Sequence, residues 1–146
     1  MLLRALLALA LVAVITPAHA AICVLSLPTP GVLTLSWDGL RLGSEEAALP
    51  TPGTLTIVTI GAATLTVDPP VWTQVPGGYQ SAAETRETRF TAPLTGGSKP
   101  YAATAQAINV PNLLGSAVIL TIHDRITNPA GFAPGTYATR TVVTCS

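Results

Sequence analysis

Charge, aromatic rings, histidine and cysteine are all scarce in this chain. Asp, Glu, Lys and Arg make up 10% of its 146 residues, against 49% hydrophobic residues. The 7 Lys and Arg residues form no basic run and do not interleave with aromatics, so a nucleic-acid partner is not expected. Two cysteines, Cys23 and Cys145, and one histidine beyond the leader, His123, are too few and too widely spaced for a zinc site. No metal and no cofactor is expected. There is no G-x-S-x-G, and Gly77-Gly78 and Gly96-Gly97 lack the helix and lysine of a phosphate-binding loop. Beyond residue 20 no apolar run is long enough to cross a bilayer, so the mature form is expected to have no membrane span.

What is present begins with an export signal. Arg4 supplies a short positive region, "ALLALALVAVI" an apolar stretch of signal length, and Ala18-His19-Ala20 a small-x-small cleavage site. An uncleaved anchor would call for a basic flank, which is missing. A lipid-modified Cys23 would call for Gly, Ala or Ser before it, where Ile22 stands. Residues 1–20 are therefore read as a signal peptide and residues 21–146 as one domain, periplasmic, cell-surface or secreted. Loss of Arg4 tips the net charge slightly negative.

Export places the two cysteines where disulfides persist, and two cysteines allow one intramolecular pairing. A Cys23–Cys145 bond would close nearly the whole mature chain into one loop. Loop entropy sets its upper contribution at about 4 to 5 kcal/mol. Two buried free thiols are the alternative.

Period-two alternation recurs along the chain, the pattern of half-buried strands. It appears in "CVLSL" (23–27), stopped by Pro28 and Pro30, and in "GVLTLSW" (31–37), where Leu33, Leu35 and Trp37 share a face. Asp38-Gly39 then predicts a two-residue turn into a short return strand, 40–42. Residues 43–53 read as a loop whose Glu45 and Glu46 are solvated surface. Residues 54–60 and 63–67 read as a hairpin about Gly61-Ala62, and "VWTQV" (71–75) as a strand ended by Pro76-Gly77-Gly78. For residues 79–92 a polar edge strand is favoured over a short helix, with charges that discourage edge pairing. Gly96-Gly97-Ser98 reads as a mobile loop and 101–108 as a strand. "SAVILTIHDRIT" is the clearest core strand, with Val118, Leu120 and Ile122 on one face. "TYATRTVVTC" is the last strand. Seven to nine or so short strands with turn signals every ten residues predict an all-β, immunoglobulin-like antiparallel sandwich.

No catalytic constellation can be assembled. His123 and Asp124 are adjacent, so an alternating strand points them to opposite faces. His123 is expected to be a surface histidine at a strand end. Among the aromatics, Tyr137 suits a hydroxyl closing a local turn. Trp72 and Tyr79, flanking Pro76-Gly77-Gly78, would form a contact surface if both rings stand exposed in one loop.

"GFAPGTYATRTVVTCS" resembles the C-terminal strand of bacterial exported pilin-like and spore-coat-U-like β-sandwich proteins. "GVLTLSWDGLRLGSE" is similar to an early strand pair of small secreted bacterial immunoglobulin-like proteins. For fimbrial subunits the resemblance implies assembly by strand donation, in which a segment of one subunit completes the sheet of the next. Cleavage after Ala20 leaves Ala21 and Ile22 before Cys23, short of the roughly ten-residue arm a donor needs. The expectation is a non-enzymatic cell-envelope or surface structural and interaction protein, fimbria- or coat-associated in its sharper form, with another envelope or fimbrial protein as partner. The alternative is a ligand-binding or adhesive module built on loop aromatics.

Overall fold

A computed structural model of the chain describes residues 22–95, 97–112 and 117–146, apart from the side chains of Leu27, Pro28 and Leu94. The signal-peptide expectation for residues 1–20 lies outside the described residues. Apolar or β-branched side chains at every second position give each segment one face to bury, and twelve strands form among the described residues. They are β1 (Ile22–Thr29), β2 (Thr34–Leu35), β3 (Arg41–Gly43), β4 (Gly53–Ile60), β5 (Ala63–Val67), β6 (Val71–Gln74), β7 (Thr85–Ala92), β8 (Gly97–Ala102), β9 (Gln106–Val110), β10 (Ala117–Thr127), β11 (Ala138–Arg140) and β12 (Val143–Cys145). A 3-10 turn, Pro93–Thr95, joins β7 to the β8 hairpin arm.

The pairings are antiparallel and build two layers. In the first, β8 pairs with β7 and β7 with β10. On the other side of β10, β4 runs along Ala117–Ile122 and β3 along Arg125–Thr127. β1 pairs with β4 and β2 with β3. The second layer is made of two smaller sheets, β9–β5–β12 and β6–β11, lying end to end. The Asp68 amide donates to the Val142 carbonyl (3.0 Å) where β5 gives way to β6 and β11 to β12.

Twelve strands exceed the seven to nine expected, and four interruptions separate strands that continue one another along the same layer. Pro30-Gly31 separates β1 from β2, residues 44–52 separate β3 from β4, Pro69-Pro70 precedes β6, and Thr141-Val142 lies between β11 and β12. Proline cannot donate to a ladder, which accounts for two of the breaks. At the first, a Cβ on Gly31 would stand 2.7 Å from the Gly53 amide nitrogen, so the chains approach closely there only because no side chain intervenes.

The core lies between the layers. Ile57, Phe90, Val118 and Leu120 of the first sheet pack against Leu65, Val67, Ile108 and Val110 of the second. Cys23 of β1 and Cys145 of β12 form a disulfide across the layers, with Cα atoms 6.4 Å apart and a sequence separation of 122. The expected bond is present.

Several local expectations are corrected. Residues 54–67 are not a hairpin: β4 belongs to the first sheet and β5 to the second, so Gly61-Ala62 carries the chain between layers. Periodicity marks both strands but does not say which neighbour each one finds. Residues 79–92 do contain a strand, yet β7 is interior, flanked by β10 and β8. The last strand is split in two. Residues 101–108 divide between β8 and β9, and Gly97 and Ser98 belong to β8 rather than to a loop. The Asp38-Gly39 turn is wider than two residues. Ser36 N donates to Arg41 O (2.8 Å), leaving Trp37–Leu40 as a four-residue loop, with Gly39 at φ +71°. Trp37 sits at its tip, 95% exposed, and not on a strand face.

These placements predict unequal costs. Phe90→Ala should destabilise the fold by about 3 to 5 kcal/mol in denaturant unfolding, through the cavity it leaves. Trp37→Ala should stay within about 0.5 kcal/mol of the parent. Equal losses would show that the core is not where the two sheets meet.

Candidate functional site: the open edge of the sandwich

Along one side of the molecule both sheets stop without a partner. Among the described residues β1 pairs only with β4, β2 only with β3, β11 only with β6 and β12 only with β5. The hydrogen bonds of β12 show which backbone groups are left. Thr64 and Ser146 exchange both N–H···O bonds, 2.7 and 3.0 Å, and Val142 O accepts from Asp68. Antiparallel alternation then turns Val142, Thr144 and Ser146 toward β5 and the N–H and C=O groups of Val143 and Cys145 toward the open side.

The side chains along this edge are equally incomplete. Leu25 shares the inward parity of Ile57 and Val118 across the ladder, yet it is 42% exposed where they are 0%. Leu35 is 46% exposed. A groove follows the gap. At its waist a cavity of about 250 Å³ is lined by Gly31, Leu33, Ser44, Asp124, Thr139 and Thr141. Leu33 also lines a second opening of about 470 Å³ bounded by Leu35, Leu42, Phe132 and Tyr137. The Cys23–Cys145 disulfide stands at the other end.

Asp124 forms part of the floor. Alternation along β10 turns it inward, in line with Val118, Leu120, Ile122 and Ile126. Its two oxygens accept from Thr88 Oγ1 (2.6 Å) and Thr141 Oγ1 (2.7 Å), so it links the two sheets. Burial raises its pKa above the ordinary carboxylate value, and the Thr141 and Thr88 hydroxyls oppose that rise.

Trp72 and Tyr79 do not stand exposed in one loop. Their rings meet edge to face, centroids 5.6 Å apart, and both contact Tyr137, while Tyr79 also stacks on Phe132. The Trp72 indole N–H (3.0 Å) and the Tyr79 hydroxyl (2.5 Å) donate to Glu84, whose side chain is buried. Burial, then the Glu84 hydrogen bond, pushes the Tyr79 pKa well above that of a free phenol. Tyr137 donates to Ala133 O (2.8 Å), closing its local turn as expected. The cluster is a small second core, and only its Phe132 and Tyr137 side meets the groove.

Glu45 is not solvated surface. It accepts a two-pronged bond from Arg89 and one from the Tyr101 hydroxyl (2.6 Å), which presses residues 44–46 onto the outer face of the first sheet. Burial disfavours its charge, but the Tyr101 and Arg89 bonds prevail and hold its pKa below the usual value. Glu46 lies 3.7 Å from Arg41. His123, opposite Arg89 on the outward face, is covered by this loop and is 7% exposed, so the surface-histidine expectation is corrected. Its Nδ1 faces both Ser44 Oγ (3.2 Å) and Glu45 Oε1 (3.7 Å). A serine relay needs hydroxyl and carboxylate on opposite ring nitrogens, and here both meet the same one. Among the described residues no group of three or more His, Cys, Asp or Glu is placed to hold a metal ion.

Comparison with protein families, with curated proteins and with solved structures returned no match. The groove was legible in part. Within "VILTIHDRI", Asp124 occupies an inward position between Ile122 and Ile126, a signal that a polar group breaks the core face. Nothing local in the sequence announced that Leu25 and Leu35 would lack a neighbour.

The His123 environment predicts a pH dependence. Burial lowers its pKa below the ordinary 6.5, with the Glu45 charge opposing, so the unfolded chain takes up the proton more readily. The sign follows: His123 costs no stability above about pH 6.5 and progressively destabilises the fold as pH falls below it. Between pH 7.5 and 5.5 the parent should lose more melting temperature than His123→Gln. A parallel fall in both would locate the sensitivity elsewhere.

Proposed function

We propose that this chain is an exported, non-enzymatic structural and interaction module of the cell envelope or surface, which works by taking an extended segment of a partner into its open edge. The observation that carries this reading is the pair of strand edges, β1/β2 and β12/β11, unpartnered among the described residues and flanking a groove where inward Leu25 and Leu35 remain over 40% exposed. Free edge groups are a template for another strand. Core-facing positions without a neighbour supply the apolar driving force, about 25 cal/mol per Å² removed from water. The disulfide fits an oxidising compartment. Among the described residues no helix is long and apolar enough to cross a membrane. Association with a fimbria or coat is the sharper form of the proposal, supported by an all-β antiparallel sandwich with an open edge at its last strand.

A second reading, an adhesive or ligand-binding module, has its own observation. The ring that supports it is Trp37 rather than Trp72 or Tyr79. Its loop is held by Asp38, whose carboxylate accepts from the Ser36 hydroxyl (2.5 Å) and the Leu40 amide (3.0 Å). An exposed indole carried on a hydrogen-bonded loop offers a large apolar contact at a fixed backbone position.

Amide hydrogen exchange separates the two. In the isolated protein the Val143 and Cys145 amides should exchange much faster than that of Thr144, which pairs with Thr66. A blocked ten-residue peptide of alternating valine and threonine should slow Val143 and Cys145 selectively and raise the melting temperature, with Trp37→Ala unchanged in both. Amides already protected in the isolated chain, or a peptide effect abolished by Trp37→Ala, would overturn the groove reading.

A further inference from the structure

We propose that the groove selects a segment carrying a lysine or arginine at an inward-facing position, and that Asp124 is the residue that reads it. This rests on the reading of the groove as a strand-accepting site and adds the chemistry of the occupant.

Buried carboxylates are ordinarily matched by a cation or fully satisfied by hydrogen bonds. Asp124 has neither in full. An ionised carboxylate offers about four acceptor sites, and Thr88 and Thr141 supply one hydroxyl each. Among the described residues no lysine or arginine lies within ion-pair distance of it. Arg86 reaches Glu84 and the Pro70 carbonyl, Arg89 reaches Glu45, Arg125 reaches Glu87 and Arg41 reaches Glu46. Arg140 lines the same cavity but is exposed and makes no ion pair with Asp124. His123, adjacent in sequence, points to the opposite face of β10 and is engaged by Ser44 and Glu45.

The surroundings keep the carboxylate reachable from outside. Three of the four strand breaks fall around it. Gly31 lies between β1 and β2, Ser44 and Gly53 border the gap between β3 and β4, and Thr141 lies between β11 and β12. The ladders that would otherwise seal the floor are interrupted where the charge sits, and the cavity of about 250 Å³ opens there. Pro30, Leu33 and Ile122 give the lining apolar surface, beside the polar Ser44, Thr139 and Thr141 and the exposed Arg140. Such a site suits the aliphatic stem of a long basic side chain with its charged end against the carboxylate. Alternating apolar residues of the same segment would cover Leu25 on one side and Leu35 on the other.

The test uses the folded, disulfide-bonded chain and blocked ten-residue peptides of alternating valine and threonine. One inward valine is replaced in turn by lysine, by norleucine or by glutamate at each inward position, and binding is followed by calorimetry. At one position the lysine peptide should bind at least about tenfold more tightly than its norleucine twin, the size of one charge-assisted hydrogen bond. In Asp124→Asn that ratio should fall below about twofold. Carbon-detected titration of the Asp124 carboxyl in the unmodified protein gives a readout that needs no variant. Its titration should move to lower pH with the lysine peptide and stay in place with norleucine. Equal binding of lysine and norleucine at every position overturns the role of Asp124 while leaving the groove reading intact. Tighter binding of glutamate assigns selection to Arg140 and also overturns it. No binding by any peptide overturns both.

Discussion

One covalent bond holds the two layers together at one end of a side along which, among the described residues, the edge strands do not pair with each other. Cys23 and Cys145 join β1 to β12, while the same strands and their continuations β2 and β11 find no partner across the gap. The bond constrains the unfolded chain through a loop spanning most of the described residues. It also fixes how far the layers can part at that end. The groove is thus a fixed feature of the sandwich, with a covalent stop at one end and the Phe132–Tyr137 rings at the other.

Scarce charge is used for fastening. Six of the seven acidic residues hold a defined partner: Asp38, Glu45, Glu46, Glu84, Glu87 and Asp124. Glu45 presses a loop onto the outer face, Glu84 organises an aromatic cluster, and Asp124 joins the layers. Solubility at the strand surfaces falls largely to threonine, as at Thr54 and Thr56 of β4 and Thr64 and Thr66 of β5. With so little charge available, a carboxylate short of donors on the floor of the groove stands out from its surroundings.

The all-β class, the disulfide and the local turn at Tyr137 were legible because each follows from short-range pattern or from a pairing with one solution. Strand neighbours were not. Residues 54–60 and 63–67 look like a hairpin by spacing, and only the need to bury Ile57 against Leu65 from opposite layers separates them. His123 and Glu45 looked solvent-facing one at a time. Their burial comes from a loop folded over residues 79 positions away, with Arg89 and Tyr101 completing the set. Leu25 and Leu35 have the parity of core residues, and periodicity cannot reveal that no described strand pairs beyond them. The candidate site is therefore an absence of pairing, which sequence pattern does not record.

The two tryptophans occupy unlike settings, and that makes the chain its own optical reporter. Trp37 stands in water on a hairpin tip, and its emission would stay red-shifted and open to collisional quenchers in every state of the protein. Trp72 packs against Tyr79 and Tyr137 with its N–H on Glu84, and Tyr137 borders the groove. In a Trp37→Phe background, the remaining blue-shifted band would report directly on the aromatic end of the open edge.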